Sequence, residues 1–258
     1  MLAMFEFIRN WLNRRIIEKS VITDLQWSHA ISLLPILQGL NKDEIHRLKM
    51  LSILFIAAKE FEGAQGLIVN QHMILTIALQ ACLPILNLGL AKYNNWYTIV
   101  VYPGTFVTNQ SVTDENGVVS REQSSLSGEA WHHGPVILAW DETKAAGIID
   151  GHNLVIHEFA HKLDMQNGVA NGYPPLNFGM KRKNWVSAFT HAFGHFQNKC
   201  HKDELYGLSC YGATSPAEFF SVISEAFFEK PKVVKKHYPD VYEQLSLYYR
   251  QSPIERLA

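Results

Sequence analysis

Leu154-Val155-Ile156-His157-Glu158-Phe159-Ala160-His161-Lys162-Leu163-Asp164 carries an HExxH motif inside an apolar helical pattern. Leu154, Val155 and Ile156 form an apolar lead-in turn, Leu163 continues the pattern, and Asn167-Gly168 can stop it. On such a helix His157 and His161 project from one side, so both imidazoles can reach one ion. Zn2+ takes histidine nitrogen at roughly 2.0–2.1 Å, and catalytic zinc sites keep one position for water. Glu158 lies beside that position, where a carboxylate can take the water's proton during attack on a carbonyl. The competing reading is an amphipathic core helix whose two histidines meet solvent or a polar partner.

Two ligands and a base leave the site one ligand short. The extended pattern HExxHxxGxxH fails, because Asp164 stands where Gly would be and Asn167 where the third His would be. A downstream carboxylate must serve, and the best stretch is Ser215-Pro216-Ala217-Glu218-Phe219-Phe220-Ser221-Val222-Ile223-Ser224-Glu225. Ser215 suits a helix N-cap and Pro216 the first helical position. Glu218 also completes a capping box with Ser215, in which case it would turn back to its own helix start. Glu225 stands two turns on, about 10 Å further along the axis, so only one of the two carboxylates can bind a given ion. Spacing leaves that choice open.

The rest of the chain narrows the setting. With 258 residues, 47% apolar and 18% charged, it can bury a sizeable core. A formal net charge of -1 provides no basic footprint for direct nucleic-acid binding. Cys82, Cys200 and Cys210 are odd in number and lack CxxC spacing, so they read neither as a disulfide framework nor as a thiolate metal site. The N-terminal run from Met1 to Arg15 is interrupted by Glu6 and Arg9, which argues against a signal peptide and for a helix packed on the body. An interfacial membrane helix is its alternative. No Asp, Glu, Lys or Arg occurs between Glu62 and Lys92, but Gln80, Pro84 and Asn87 suit a buried, broken helix better than a membrane span. The expected setting is the cytoplasm.

Asn41-Lys42-Asp43-Glu44 reads as a helix start, with the helix ending near Gly63, and a second helix follows within 70–90. Residues 97–102 and 105–108 read as strands across Pro103-Gly104, 109–128 as a hairpin or mobile loop, and 134–140 as a strand. Helices return after 152. This order predicts an α+β fold around one core.

Beyond the motif, the chain resembles the Mlc titration factor family, the glucose-regulated zinc metallopeptidases of bacteria. The landmarks are Gln80-Ala81-Cys82-Leu83-Pro84, Tyr102-Pro103-Gly104, Leu126-Ser127-Gly128-Glu129-Ala130-Trp131, Gly134-Pro135-Val136, the 155–164 segment and Pro216-Ala217-Glu218-Phe219-Phe220. They run from about residue 30 to 250. The catalytic part is also similar to that of anthrax lethal factor, with a Tyr and a Glu seven residues apart downstream of the motif. The resemblance implies a zincin-like fold with a small mixed sheet and N-terminal helices packed on the same core. It implies one domain over 1–258, with a helical part at about 1–92 and a catalytic core at about 93–250. It also implies one Zn2+ held by His157, His161 and Glu218, with Glu158 as base and Tyr211 poised to stabilise an oxyanion. Glu225 and Asp164 then become supporting carboxylates, Asp164 orienting a histidine or lying at the surface.

The activity implied is hydrolysis of short peptides by a peptidase of the HExxH-plus-glutamate type, with aminopeptidase action among its implied forms and a regulatory link to glucose uptake through the repressor Mlc. The alternative class is a non-enzymatic protein that sequesters a transcriptional repressor. Segment 134–139 gains a further role, as an exposed strand edge that an extended peptide could pair with, its alternative being a core strand. His132-His133 alternate faces and cannot both reach one ion. His191, His195 and His201 read as surface or packing histidines.

Overall fold

The computed structural model describes residues 2–257, apart from 114–118, 127, 132–133, 146–147 and 203–206, with backbone alone at 2–6 and 106–126. The chain opens with helices α1 (Leu2–Glu18), α2 (Asp24–Ser32) and α3 (Lys42–Ala58). Asn41 starts α3 as the sequence predicts: its side chain accepts from the Asp43 and Glu44 amides, and Glu44 Oε2 accepts from the Asn41 amide at 2.9 Å. The helix stops at Ala58 rather than near Gly63. Strand β1 (Glu60–Gly63) begins two residues later and pairs in parallel with β2 (Thr98–Tyr102). Nothing in Glu-Phe-Glu-Gly marks a strand; its pairing with β2 imposes the extended backbone.

Asn70 caps α4 (Gln71–Cys82), whose residues from Leu75 to Cys82 are all buried, and the helix ends just before Pro84. The long uncharged stretch is therefore a core helix. Among the described residues no helix is long and apolar enough to cross a membrane.

The antiparallel hairpin of β3 (Phe106–Thr113) and β4 (Val119–Leu126) follows, and its predicted turn at Asp114, Asn116 and Gly117 lies outside the described residues. Strands β5 (Gly128–Ala130) and β6 (Val136–Ala139) complete a four-stranded sheet in the order β1-β2-β6-β5. The first three of these strands run parallel, and β5 is antiparallel to β6. This corrects the expectation of an exposed edge at 134–139. β6 is flanked on both sides, with Val136, Leu138 and Ala139 fully buried, as the core-strand alternative has it, so β5 is the edge at this end of the sheet. The predicted strand also ends at Ala139, because Trp140 opens the short helix α5 (Trp140–Ala145).

The second half holds α6 (Leu154–Asp164), α7 (Arg182–Cys200), α8 (Pro216–Glu229), α9 (Pro231–His237) and α10 (Pro239–Tyr249). Phe159, on the buried side of α6, has its ring centroid 5.7 Å from Phe55 of α3, 5.1 Å from Tyr93 and 5.6 Å from Trp96. Trp185 of α7 stacks on Phe189 at 4.2 Å and meets Phe220 of α8 and Tyr248 of α10. Edge and offset aromatic contacts of this kind add to the burial that holds helices together.

Two further expectations need correction. α1 packs on the body as expected through Ile17 near its C-terminal end, but not along the expected apolar run: Phe7 is 72% exposed and Trp11 48%. Cys200 and Cys210 are joined as a disulfide with Cα atoms 5.5 Å apart, and Cys82 is the free, buried one. Sequence spacing hides that pair because the turn bringing Cys210 back to the end of α7 is a tertiary feature.

Candidate metal centre

Asn153 sets the start of α6. Its side chain accepts from the Ile156 amide at 3.0 Å, and its amide nitrogen Nδ2 donates to Gln80 Oε1 at 2.9 Å and Glu229 Oε1 at 3.0 Å. Its backbone N–H donates to Glu225 Oε2 at 2.6 Å. One buried capping residue thus ties α4, α6 and α8 together. A cap before an apolar helical run was readable in the sequence, but its partners Gln80 and Glu229 were not.

From that start, His157 and His161 face the first turn of α8. Their Nε2 atoms lie 3.2 Å apart, and Glu218 Oε2 sits 3.0 Å from the first and 3.3 Å from the second. Among the described residues these three side chains form the one group of donors close enough to share an ion. A tetrahedral ion with bonds of roughly 2.0–2.1 Å requires ligand atoms about 3.3 Å apart, close to this triangle. The donor chemistry fits as well. His157 Nδ1 lies 2.7 Å from Glu225 Oε1, so that nitrogen carries the proton and Nε2 turns a lone pair toward Glu218. Lone pairs and a carboxylate oxygen crowd one point, an arrangement that a cation relieves.

Without a cation the same crowding falls on protons. Burial works against a charged His157, but Glu225, Glu218 and Glu158 together outweigh it and hold its pKa well above the ordinary value. Burial likewise opposes ionisation of Glu218, yet hydrogen bonds and charge from the two histidines bring it down to about 2. Both shifts mark a strong local demand for positive charge.

Spacing alone left Glu218 and Glu225 competing, the resemblance favoured Glu218, and the structure places the two carboxylates on different nitrogens of His157. Ser215 Oγ accepts from the Glu218 amide at 3.1 Å, so one half of the capping box forms. The Glu218 carboxylate then points to the histidines instead of back to the helix start. Glu225 reaches the far nitrogen of His157 and the Asn153 amide.

Glu158 is 4% exposed, and its Oε2 has no hydrogen-bond partner. Burial pushes its pKa up to about 7 against the pull of the two histidines. Edge strand β5 closes over it at Gly128, where a Cβ would fall 2.4 Å from Glu158 Oε1 and 2.6 Å from Leu154 Cδ1. A side chain at 128 would push the ends of the Glu158 and Leu154 side chains aside. Tyr211 sits in the short turn Cys210–Ala213, its ring 6.0 Å from that of His157. Burial first, then Glu218 and Glu158, push its phenol up to about 12, which keeps it a hydrogen-bond donor. Asp164 is buried and accepts from the Asn171 and Gly172 amides at 2.7 and 2.6 Å, so it anchors the loop after α6.

Lys162 was not singled out by the sequence reading. Its ammonium donates to the carbonyls of Trp131 and Gly134, tying the motif helix to the β5–β6 connection. His132-His133 lie outside the described residues. His191 and His195 line a separate cleft with His237 and Asp240, without converging on a shared point.

Together β5, α6, the 209–211 turn and α8 enclose a cleft of 860 Å3 that includes His157, Glu158, His161, Tyr211 and Glu218. The family described as glucose-regulated metallo-peptidase M90 matches residues 8–250 of the chain. The chain is 36% identical over 235 residues to Mlc titration factor A of Yersinia pestis (strain Pestoides F), covering 90% of this chain and 86% of that protein. The same figures hold for Mlc titration factor A of Yersinia pseudotuberculosis serotype O:1b (strain IP 31758).

Proposed function

Because this chain belongs to the glucose-regulated metallo-peptidase M90 family, we propose that its cleft is the active site of a zinc-dependent peptidase. The convergence of His157 Nε2, His161 Nε2 and Glu218 Oε2 beside the buried Glu158 carries this reading. We read the chain as one zincin-like domain, with residues about 1–92 packed on a catalytic core at about 93–250.

His157, His161 and Glu218 would hold the ion, and their mix of neutral imidazoles with one carboxylate suits zinc. Zinc, when bound, supplies Lewis acidity and makes a water easier to deprotonate. Glu158 accepts the proton from the attacking water and delivers it to the departing amine, so the peptide C–N bond breaks with no net proton change. Tyr211 donates its phenol hydrogen to the developing oxyanion. Glu225 keeps the proton of His157 on Nδ1, and Asn153 holds Glu225 in place. The free edge of β5 offers backbone groups to an extended peptide, the role the sequence had assigned to 134–139.

The relatives' name supports a second property, binding of an Mlc-like repressor in the cytoplasm. In a reducing compartment Cys200 and Cys210 would stand as neighbouring thiols.

One experiment separates the two. Glu158→Gln keeps shape and removes the base, so zinc content should stay at one per chain while kcat falls by about 10²–10⁴-fold. Pull-down of an Mlc-like repressor should survive, because binding uses surface and not the base. Unchanged turnover in rigorously purified Glu158→Gln protein would overturn the peptidase mechanism. Failure of the wild type to bind repressor would remove the regulatory partner.

A further inference from the structure

Helix α1 turns an apolar side away from the rest of the protein. At about 100° per residue, Phe7, Trp11, Ile8, Leu12 and Ile16 fall within one half of the helix circumference. Each of them is at least 38% exposed. Ile17, which packs on the hydrophobic core, lies about 180° around the helix from Ile8, so the body holds α1 from behind. Among the described residues the metal cleft is lined from 128–225, so this surface is separate from it.

A contiguous stripe of exposed apolar side chains marks a contact surface, and charge says of which kind. Arg9 and Arg14 fall just beyond the two edges of the stripe, while Arg15 and Lys19 extend it at the C-terminal end. Against Glu6 and Glu18 they give the first twenty residues a net charge of +2, in a chain whose net charge is -1. The Arg15 guanidinium lies 4.7 Å from the centre of the Trp11 ring, so this cation sits on the stripe itself. Such a surface matches the boundary between lipid headgroups and acyl chains. Apolar rings enter the acyl edge, and long basic side chains keep their charge among the phosphates.

We propose that α1 lies along an anionic lipid surface and holds the protein there. With 17 residues interrupted by arginines, the helix is too short and too charged to cross a bilayer. A second copy of the chain is a poor occupant. Parallel stripes would set Arg14, Arg15 and Lys19 against their own kind, and antiparallel stripes would set them on Phe7 and Ile8. Apolar insertion and attraction to lipid phosphates act together here, because a stripe this short binds only marginally without the charge.

The test follows flotation of the full chain with vesicles of phosphatidylcholine alone and of phosphatidylcholine mixed with phosphatidylglycerol. Wild type should bind the mixed vesicles about tenfold more tightly than the neutral ones, and about 1 M salt should remove most of that difference. Phe7→Ser/Trp11→Ser should lose about tenfold or more in affinity for mixed vesicles, through lost insertion. Arg14→Gln/Arg15→Gln should lose about tenfold to thirtyfold on mixed vesicles and little on neutral ones. All four side chains are exposed, so both double variants should melt at the wild-type temperature. Failure of wild type to bind mixed vesicles, equal binding to both kinds, or unchanged affinity in either variant would overturn the assignment. A lowered melting temperature in Phe7→Ser/Trp11→Ser would overturn it too, by showing that these rings pack on the body. Sedimentation equilibrium tests the other occupant: a wild-type dimer that Phe7→Ser/Trp11→Ser abolishes would give the stripe to a second copy and overturn the lipid assignment.

Discussion

Glu218 and Glu225 are seven residues apart on one helix and meet the same histidine from opposite sides. Losing the carboxylate that would bind the ion removes a bond and a compensating charge, whereas losing one that orients a histidine typically weakens metal affinity by about 10–100-fold. Glu218→Gln should therefore cost more zinc affinity than Glu225→Gln, measured by competition with a chelator. The cap at Ser215 bonds the backbone N–H of residue 218, which Glu218→Gln leaves in place, so helix stability is controlled. The reverse order would move the ligand assignment to Glu225. Glu229 allows a separate test by pH. Burial pushes its pKa up from 4.5 to about 8, against hydrogen bonds from Asn153 and Gly151. Between those values the folded protein keeps a proton that the unfolded chain has released, so this group lowers stability as pH rises through the window. In metal-free protein, the stability of Glu229→Gln relative to wild type should climb from pH 4.5 to pH 8 and then level off. Denaturant melts at a series of pH values measure it; a flat difference would show that Glu229 is ionised in the fold throughout.

At the level of elements, the cleft depends on how closely β5 approaches α6. Gly128→Ala places a methyl on the ends of the Glu158 and Leu154 side chains, so the Glu158 carboxylate is displaced or the strand moves away. Overpacking of this kind costs about 1–3 kcal/mol, and activity should fall by more than that stability loss explains, with zinc content unchanged. Thermal melts, metal analysis and peptide hydrolysis on one preparation check all three; full activity would mean that the strand does not bear on Glu158. Element starts were legible wherever a polar cap precedes an apolar period, as at Asn41 and Ser215. β1 was not, because four residues with one partly buried side chain carry no period of their own. The edge position was misplaced for a related reason: β6 reads as a strand from its apolar run, but nothing in that run says that β5 turns back to cover it.

For the whole molecule, Phe159 joins the motif helix to the helices before the sheet. Its ring packs on Phe55 and Tyr93, while the Asn153 hub reaches Gln80 of α4. A chain beginning at residue 93 would lose Phe55, α4 and β1, exposing one face of α6 and one side of β2. We expect that fragment to show no cooperative melt and no tight zinc binding, by circular dichroism and metal titration. A cooperative melt with zinc bound would divide the chain into two independent units. Phe159→Ala is the milder version, with an expected loss of about 3–5 kcal/mol.

The sequence alone determined the elements whose signal lies within a turn or two of helix. The i and i+4 histidines with Glu158 between them follow from a period of 3.6 residues, and the caps and the buried α4 from residue type over a short stretch, all local properties of the chain. Tertiary structure decided what depends on distance between elements. It set which carboxylate of α8 meets the Nε2 atoms, which strands are the edges, what Asn153 binds, and that Cys210 returns to Cys200. Those answers come from how helices and sheet pack side by side, and side chains far apart along the chain share no period from which their separation could be read.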